Sequence, residues 1–423
     1  MASWRWLCGA WILSGAALWA GEWNEFRGPT GQGTSDVKGL PLTWSDTENV
    51  AWKVPVPGLG WSSPVVTGGK IYLSTSVDIA AEGDKPEVHE LRALCYDART
   101  GKELWNRELF HREGALKHHK KNSHASPTPL IEGDKVYFHF GPHGTACVTT
   151  AGDVVWKNEE LTYAPQHGTG GSPALAGDLL IICCDGADKQ FVAGIEKATG
   201  KERWRTPRDT MPVKGFSFCT PLLIEAGGKK QAICPGSDTV FSYDPATGQE
   251  IWRCQYGRGY SVVPRPIYAE GLVFVSSSYD KANLLAINPT GTGDVTGTHI
   301  KWQTDRQVPH NPSMVAVNGL LFYVSDGGIA TCANPITGDV HWQERLEGNY
   351  SASLLAADGR VYFQDENGKA VVVLASKEFE VLATNKFAEG ERTFASYAVD
   401  GKSLLIRSEK HLYRIEPSGS AAR

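Results

Sequence analysis

The chain has 423 residues, more than one compact core usually holds, so it either divides into domains or grows by repetition. With 41% hydrophobic and 21% charged residues it has the balance of a folded, soluble protein, and its 46 glycines, 23 prolines and 14 tryptophans point to many turns and many aromatic plugs. A net charge of −5 argues against nucleic acid as the main partner, because phosphate binding needs a basic face.

Residues 1–20, MASWRWLCGAWILSGAALWA, place Arg5 ahead of an apolar run from Trp6 to Trp19 and end in small residues. This is the pattern of a secretory signal peptide, and the run is shorter than the ~20 residues a membrane span needs. The expectation is a periplasmic or secreted protein, monomeric, with no membrane span after signal cleavage. Residues 21–48 read as an N-terminal extension. Cys8 leaves with the signal. The remaining cysteines form no CxxC pairs, and their spacing with histidine matches no zinc pattern, so no metal site is expected.

From residue 49 one block recurs. It begins with a strand marked by proline, SSPVV (62–66), followed by the turn GGK (68–70) and the alternating strand KIYLST (70–75). A third strand ends in the turn YDARTG (96–101), and a fourth carries Trp105. The same order returns along the chain through ASPTPLI (125–131), GSPALA (171–176) and CTPLLI (219–224). The phrase RTGKELW (99–105) returns as ATGKERW (198–204), ATGQEIW (246–252) and ITGDVHW (336–342). Each block reads as a four-stranded antiparallel meander. The glycine supplies positive φ, an Asp or Asn before it can bond the turn backbone, and the tryptophan plugs the space between blocks.

The outer-strand position is filled by Trp52, Trp105, Trp156, Trp204, Trp252, Trp302, Trp342 and then Leu382. The inner strands begin near Ser63, Ser126, Ser172, Thr220, Arg265, Pro312, Ala352 and Ala395. Both series have eight members, and they are out of phase. Trp52 precedes the first inner strand, whereas the last block stops before any outer strand. The simplest closure makes the segment around Trp52 the missing strand of the last block, which removes a free sheet edge. Dividing residues 49–419 by eight gives roughly 46 per unit, the length of a four-stranded blade. The fold predicted is an all-β, eight-bladed β-propeller, closed by an N-terminal strand joining the last blade, with residues 420–423 as a tail.

The D-x-x-T-G-x-x-x-W phrase resembles the repeat of pyrroloquinoline-quinone (PQQ) propellers, over nearly all of residues 49–419. The opening WNEFRGPTGQG (23–33) and LPLTWSDTENVAWKVPVPG (40–58) are similar to the start of secreted bacterial members. That superfamily holds quinoprotein dehydrogenases as well as BamB-type outer-membrane assembly scaffolds, so the resemblance fixes the fold more firmly than the function. For a dehydrogenase it implies PQQ, a Ca²⁺ cage of carboxylate and amide oxygens, an aspartate base and adjacent cysteines against the quinone. Cys183 and Cys184 are adjacent, but they end a predicted strand, where neighbouring side chains point to opposite faces. Asp185, Asp188, Asp238, Asp280, Asp326 and Asp365 fall in or near loops of one face, where turn chemistry explains them equally well.

Links between blades emerge beside the channel mouth, so function is sought there. The candidate ligand or partner surface comprises Trp61, His124, His167, Arg258, Tyr260, His310 and Tyr350. Asn122, Gln166, Lys214, Phe216, Asn311, Asn349 and Arg392 lie in the same links. No catalytic residue is assigned. HREGALKHHKKNSH (111–124) reads as a solvated loop of basic tint, since its spacings match no standard ligand pattern and its lysines repel a cation. The preferred reading is a non-catalytic envelope platform with no cofactor, binding a protein, peptide or small molecule at the channel mouth. The alternative is a PQQ- and calcium-dependent dehydrogenase of alcohols or sugars.

Overall fold

A computed structural model describes residues 22–83, 86–210 and 212–417; the expected signal peptide and the tail lie outside them. The described chain is built of strands, with one short 3₁₀ turn at Gly141–His143. They form eight sheets, each with a four-stranded antiparallel meander. Blade 1 comprises Val65–Thr67, Lys70–Ile79, Val88–Asp97 and Glu103–Glu113. Blades 2 to 7 repeat that order, with inner strands starting at Leu130, Ala174, Leu222, Ile267, Val315 and Leu355. In blade 8, Ala398–Asp400, Ser403–Arg407 and His411–Ile415 are followed by Val50–Pro55 as the outer strand. Val54 lies opposite Leu412 and Pro55 opposite His411.

The repeated phrase works across blade seams. In YDARTG, the Asp97 carboxylate accepts from the N–H and hydroxyl of Thr100 at 2.8 and 2.7 Å, and Gly101 turns the chain at φ +72°. The tryptophan of the preceding blade lies on that turn. Trp52 donates its indole N–H to the carbonyl of Ala98 (3.1 Å), and the same bond joins Trp156 to Lys197, Trp204 to Pro245 and Trp342 to Ser376. The glycine is needed twice over: a Cβ on Gly200 would stand 2.5 Å from the Trp156 ring, besides the strain of its φ of +73°. Trp252 departs from the rule. The longer turn of blade 5 sends Gly293–Asp294 back as a parallel fifth strand on blade 4, and the fully buried Trp252 bonds Gln231 instead, at 2.7 Å. The apolar core is divided accordingly into clusters along the seams, such as Leu91, Phe110 and Phe138 between blades 1 and 2.

Residues 22–48 are tied to the inner strands of several blades. Trp23 pairs with Val66 of blade 1, Asn24 accepts from the N–H of Ile131 of blade 2, and Gln32 bonds Tyr268 of blade 5. Arg27 is buried and donates to the carbonyl of Met314. Thr34–Ser35 then adds a parallel strand to blade 7. This path takes the segment across one end of the channel.

Candidate functional site

Just before the inner strand of every blade but the fifth a serine or threonine faces the next blade through one repeated bond. Ser63 N–H donates to Thr128 Oγ1, Thr128 to Ser172, and Ser172 to Thr220, each at 2.9 Å. Arg265 N–H donates to Ser313, Ser313 to Ser353, Ser353 to Ser396, and Ser396 back to Ser63. The ring misses one step, at blade 5, where Arg265 replaces the hydroxyl residue. Its guanidinium instead donates to the carbonyls of Pro221 (3.1 Å) and Phe26 (2.5 Å) and faces Glu25 at 3.5 Å. The break in the ring is thus the anchor of the N-terminal segment.

Between this ring and the channel mouth is a cavity of about 330 Å³, with Phe26 among its lining. Among the predicted residues, Trp61, His167 and Tyr260 line it. Trp61 packs on Phe394 at 4.7 Å between ring centres, with the Arg392 guanidinium 4.9 Å from the Phe394 ring. His167 lies 5.8 Å from His119 and 5.1 Å from Phe216. Burial lowers its pKa, aided by the positive charges of His119 and Lys214. The Tyr260 hydroxyl donates to Asp280 (2.5 Å) and accepts from Lys214 (2.7 Å).

The other predicted residues do not join this lining. His124 is 2% exposed and packs edge-on against His89, His118 and His143 at 4.9–5.8 Å between centres. Tyr350 is fully buried and donates its hydroxyl to the carbonyl of Glu347. His310 packs on Tyr279 at 4.7 Å, one layer behind the lining. Arg258 is exposed beside Asp280 and Lys281, in a separate hollow of the rim.

Sequence reasoning missed His119, Lys121, Phe218, Tyr279 and the hydroxyl ring, all of which line the cavity. The ring had a signal, the Ser/Thr-Pro pairs at 63–64, 128–129, 172–173 and 220–221. Residues 111–122 of HREGALKHHKKNSH are exposed or half-buried, as a solvated segment would be, and the departure from that expectation is confined to its end. Asn122 donates to the carbonyl of His167 (2.8 Å), which turns the segment inward. Lys121 then reaches Glu366 of blade 7 at 2.7 Å, and His124 is buried behind it.

The sequence model of the family described as outer membrane protein assembly factor BamB matches residues 14–218 and 294–382. The chain belongs to this family. The expected PQQ-like propeller membership is thereby borne out. No curated protein matches the sequence. Among solved structures, the quinohemoprotein alcohol dehydrogenase of Comamonas testosteroni superposes with a TM-score of 0.67 at 13% identity, over 95% of this chain and 81% of that one. BamB from Moraxella catarrhalis superposes with a TM-score of 0.56 at 12% identity, over 83% and 99%. The quinohemoprotein alcohol dehydrogenase ADHIIG from Pseudomonas putida HK5 gives 0.66 at 12%, over 95% and 81%. At these identities the likeness shows the fold alone.

The donor set of this BamB-family chain does not fit a quinone–calcium centre at the cavity. Among the described residues no carboxylate lines it, and its lysine, Lys121, is already paired with Glu366. Cys183 and Cys184 are free thiols inside the strand Leu179–Asp185, buried on opposite faces: Cys184 packs with Trp156, Cys183 with Phe241. Asp185 is locked in a buried pair with Arg208 (2.7 Å). Asp365 accepts the backbone N–H groups of Asn367 and Lys369, which is turn chemistry, and Asp326 is spent on the inter-blade link, where it accepts the backbone N–H of His310.

Proposed function

We propose that this BamB-family propeller is a non-catalytic binding platform of the cell envelope that engages its partner at the channel mouth. The observation that carries the reading is the cavity itself. It is concave, it draws aromatic, hydroxyl, amide and imidazole side chains from links of many blades, and its volume of about 330 Å³ suits a small ligand or an inserted side chain. Trp61, His167 and Tyr260 are its anchors, since aromatic anchors in enclosed pockets dominate recognition energy. The periplasm or the exterior is the compartment implied by residues 1–20. Among the described residues no helix is long and apolar enough to cross a membrane.

The test is retention of solubilised envelope components on immobilised protein. The double variant His167→Ala/Tyr260→Ala should retain at least about tenfold less of the specific component than wild type, a loss of roughly 1.4 kcal/mol or more. Arg258→Ala/His310→Ala, outside the cavity lining, should retain nearly the wild-type amount. Equal retention by wild type and a well-folded His167→Ala/Tyr260→Ala protein would move the working surface away from the mouth.

A further inference from the structure

We propose that the channel cavity takes a neutral saccharide of one or two rings, held by aromatic stacking over a ring of hydroxyl donors. This rests on the reading of the cavity as the recognition site and names the chemistry of its occupant. Three features of the lining select that class.

The first is charge. Lys121 is matched by Glu366 at 2.7 Å, and among the described residues no carboxylate lines the cavity. A charged ligand would lose hydration without gaining an unpaired counter-ion from the lining, which is costly. The second is the aromatic content. Phe26, Phe218, Tyr260 and Tyr279 line the cavity and are each only partly buried by the protein's own packing. Aromatic faces carry partial negative charge, and the C–H face of a pyranose ring carries partial positive charge, so the two attract while burying apolar area. The third is the hydroxyl ring. Ser63, Thr128, Ser172 and Thr220 use their oxygens to accept backbone N–H groups, which leaves each O–H to donate. With the carbonyl oxygen of Asn311, whose amide N–H groups are held by Tyr279 and Asp326, they offer a polyhydroxylated ligand both donors and an acceptor. A purely apolar ligand would leave these groups unpaired, which disfavours it.

Calorimetric titration of the full-length protein with glucose, N-acetylglucosamine, maltose, lactose and glucuronic acid tests this. At least one neutral sugar should bind, with glucuronic acid no tighter than glucose. Phe218→Ala and Tyr279→Ala should each weaken that binding roughly tenfold, whereas Tyr279→Phe, which keeps the ring, should stay close to wild type. Thermal melts of each variant establish that it is folded, and Tyr279→Phe against Tyr279→Ala separates stacking from loss of fold. Sugar binding untouched by the folded variants, or a preference for the acid, would overturn the proposal. If no sugar binds while envelope retention still depends on His167 and Tyr260, the saccharide assignment fails and the recognition site stands. If retention is also indifferent to those residues, both fail.

Discussion

Gly200 shows what one residue contributes. Its φ of +73° and its contact with Trp156 are separate constraints, and they can be measured separately. Gly319 has a similar φ of +70° and nothing within 4 Å of its missing Cβ. Gly319→Ala should therefore cost about 1 kcal/mol of conformational strain, whereas Gly200→Ala should cost about 2–5 kcal/mol because the Trp156 ring must also move. Chemical denaturation of the two variants decides this, and equal losses would remove the tryptophan contact from the account. His124 and His143 give a second prediction. Burial, with His118 and His89 beside it, lowers His124 to about 4; burial, with His124 and Arg112 beside it, lowers His143 to about 4. Both are neutral in the folded protein and titrate near 6.5 when unfolded. Their stabilisation is therefore present above about pH 6.5 and is lost as pH falls from there towards about 4, on the order of 3 kcal/mol for each group. The melting temperature should drop across that window, and His124→Leu should flatten the drop. A profile identical in the variant would show that the cluster does not set acid stability.

At the scale of elements, two segments decide how the ring is finished. Val50–Pro55 is the outer strand of blade 8, and its Trp52 lies on the Gly101 turn of blade 1. Trp52→Ala should cost about 3 kcal/mol, and deletion of residues 21–58 should expose the His411–Ile415 edge and cause aggregation. An unchanged melting temperature for the deletion would contradict this role. Arg265 anchors the other segment. Arg265→Ser would offer Thr220 a hydroxyl and release Glu25 and Phe26, so limited proteolysis should cut within residues 22–33 of the variant and not of wild type. Identical cleavage in both would mean that other contacts, such as Arg27 with Met314, hold the segment alone.

Much of this architecture was legible because the glycine, the capping aspartate and the tryptophan each serve a local geometric need that repeats in sequence. The strand assigned to Trp52 followed from the offset of two counted series. The cavity was legible only in part. Trp61, His167 and Tyr260 stand in inter-blade links, where topology brings chain to the mouth. Tyr350 and His124 stand in equivalent links, but there the backbone turns their side chains inward, which depends on contacts to Glu347 and to His89, His118 and His143. Lys121 was hidden for another reason: its partner Glu366 is 245 residues away, and nothing local marks the pair.

For the whole molecule, residues 22–33 cross one end of the channel, and the cavity stands at the mouth formed by the inter-blade links. The BamB-family match concerns the scaffold, and recognition is proposed for this face. A benzophenone amino acid placed at Tyr260, at Phe218 and, as an outer-rim control, at exposed Val154 reports this directly in living cells. After irradiation, adducts should form from positions 260 and 218, with little or none from 154. Adducts from position 154 alone, with both cavity positions silent, would contradict it.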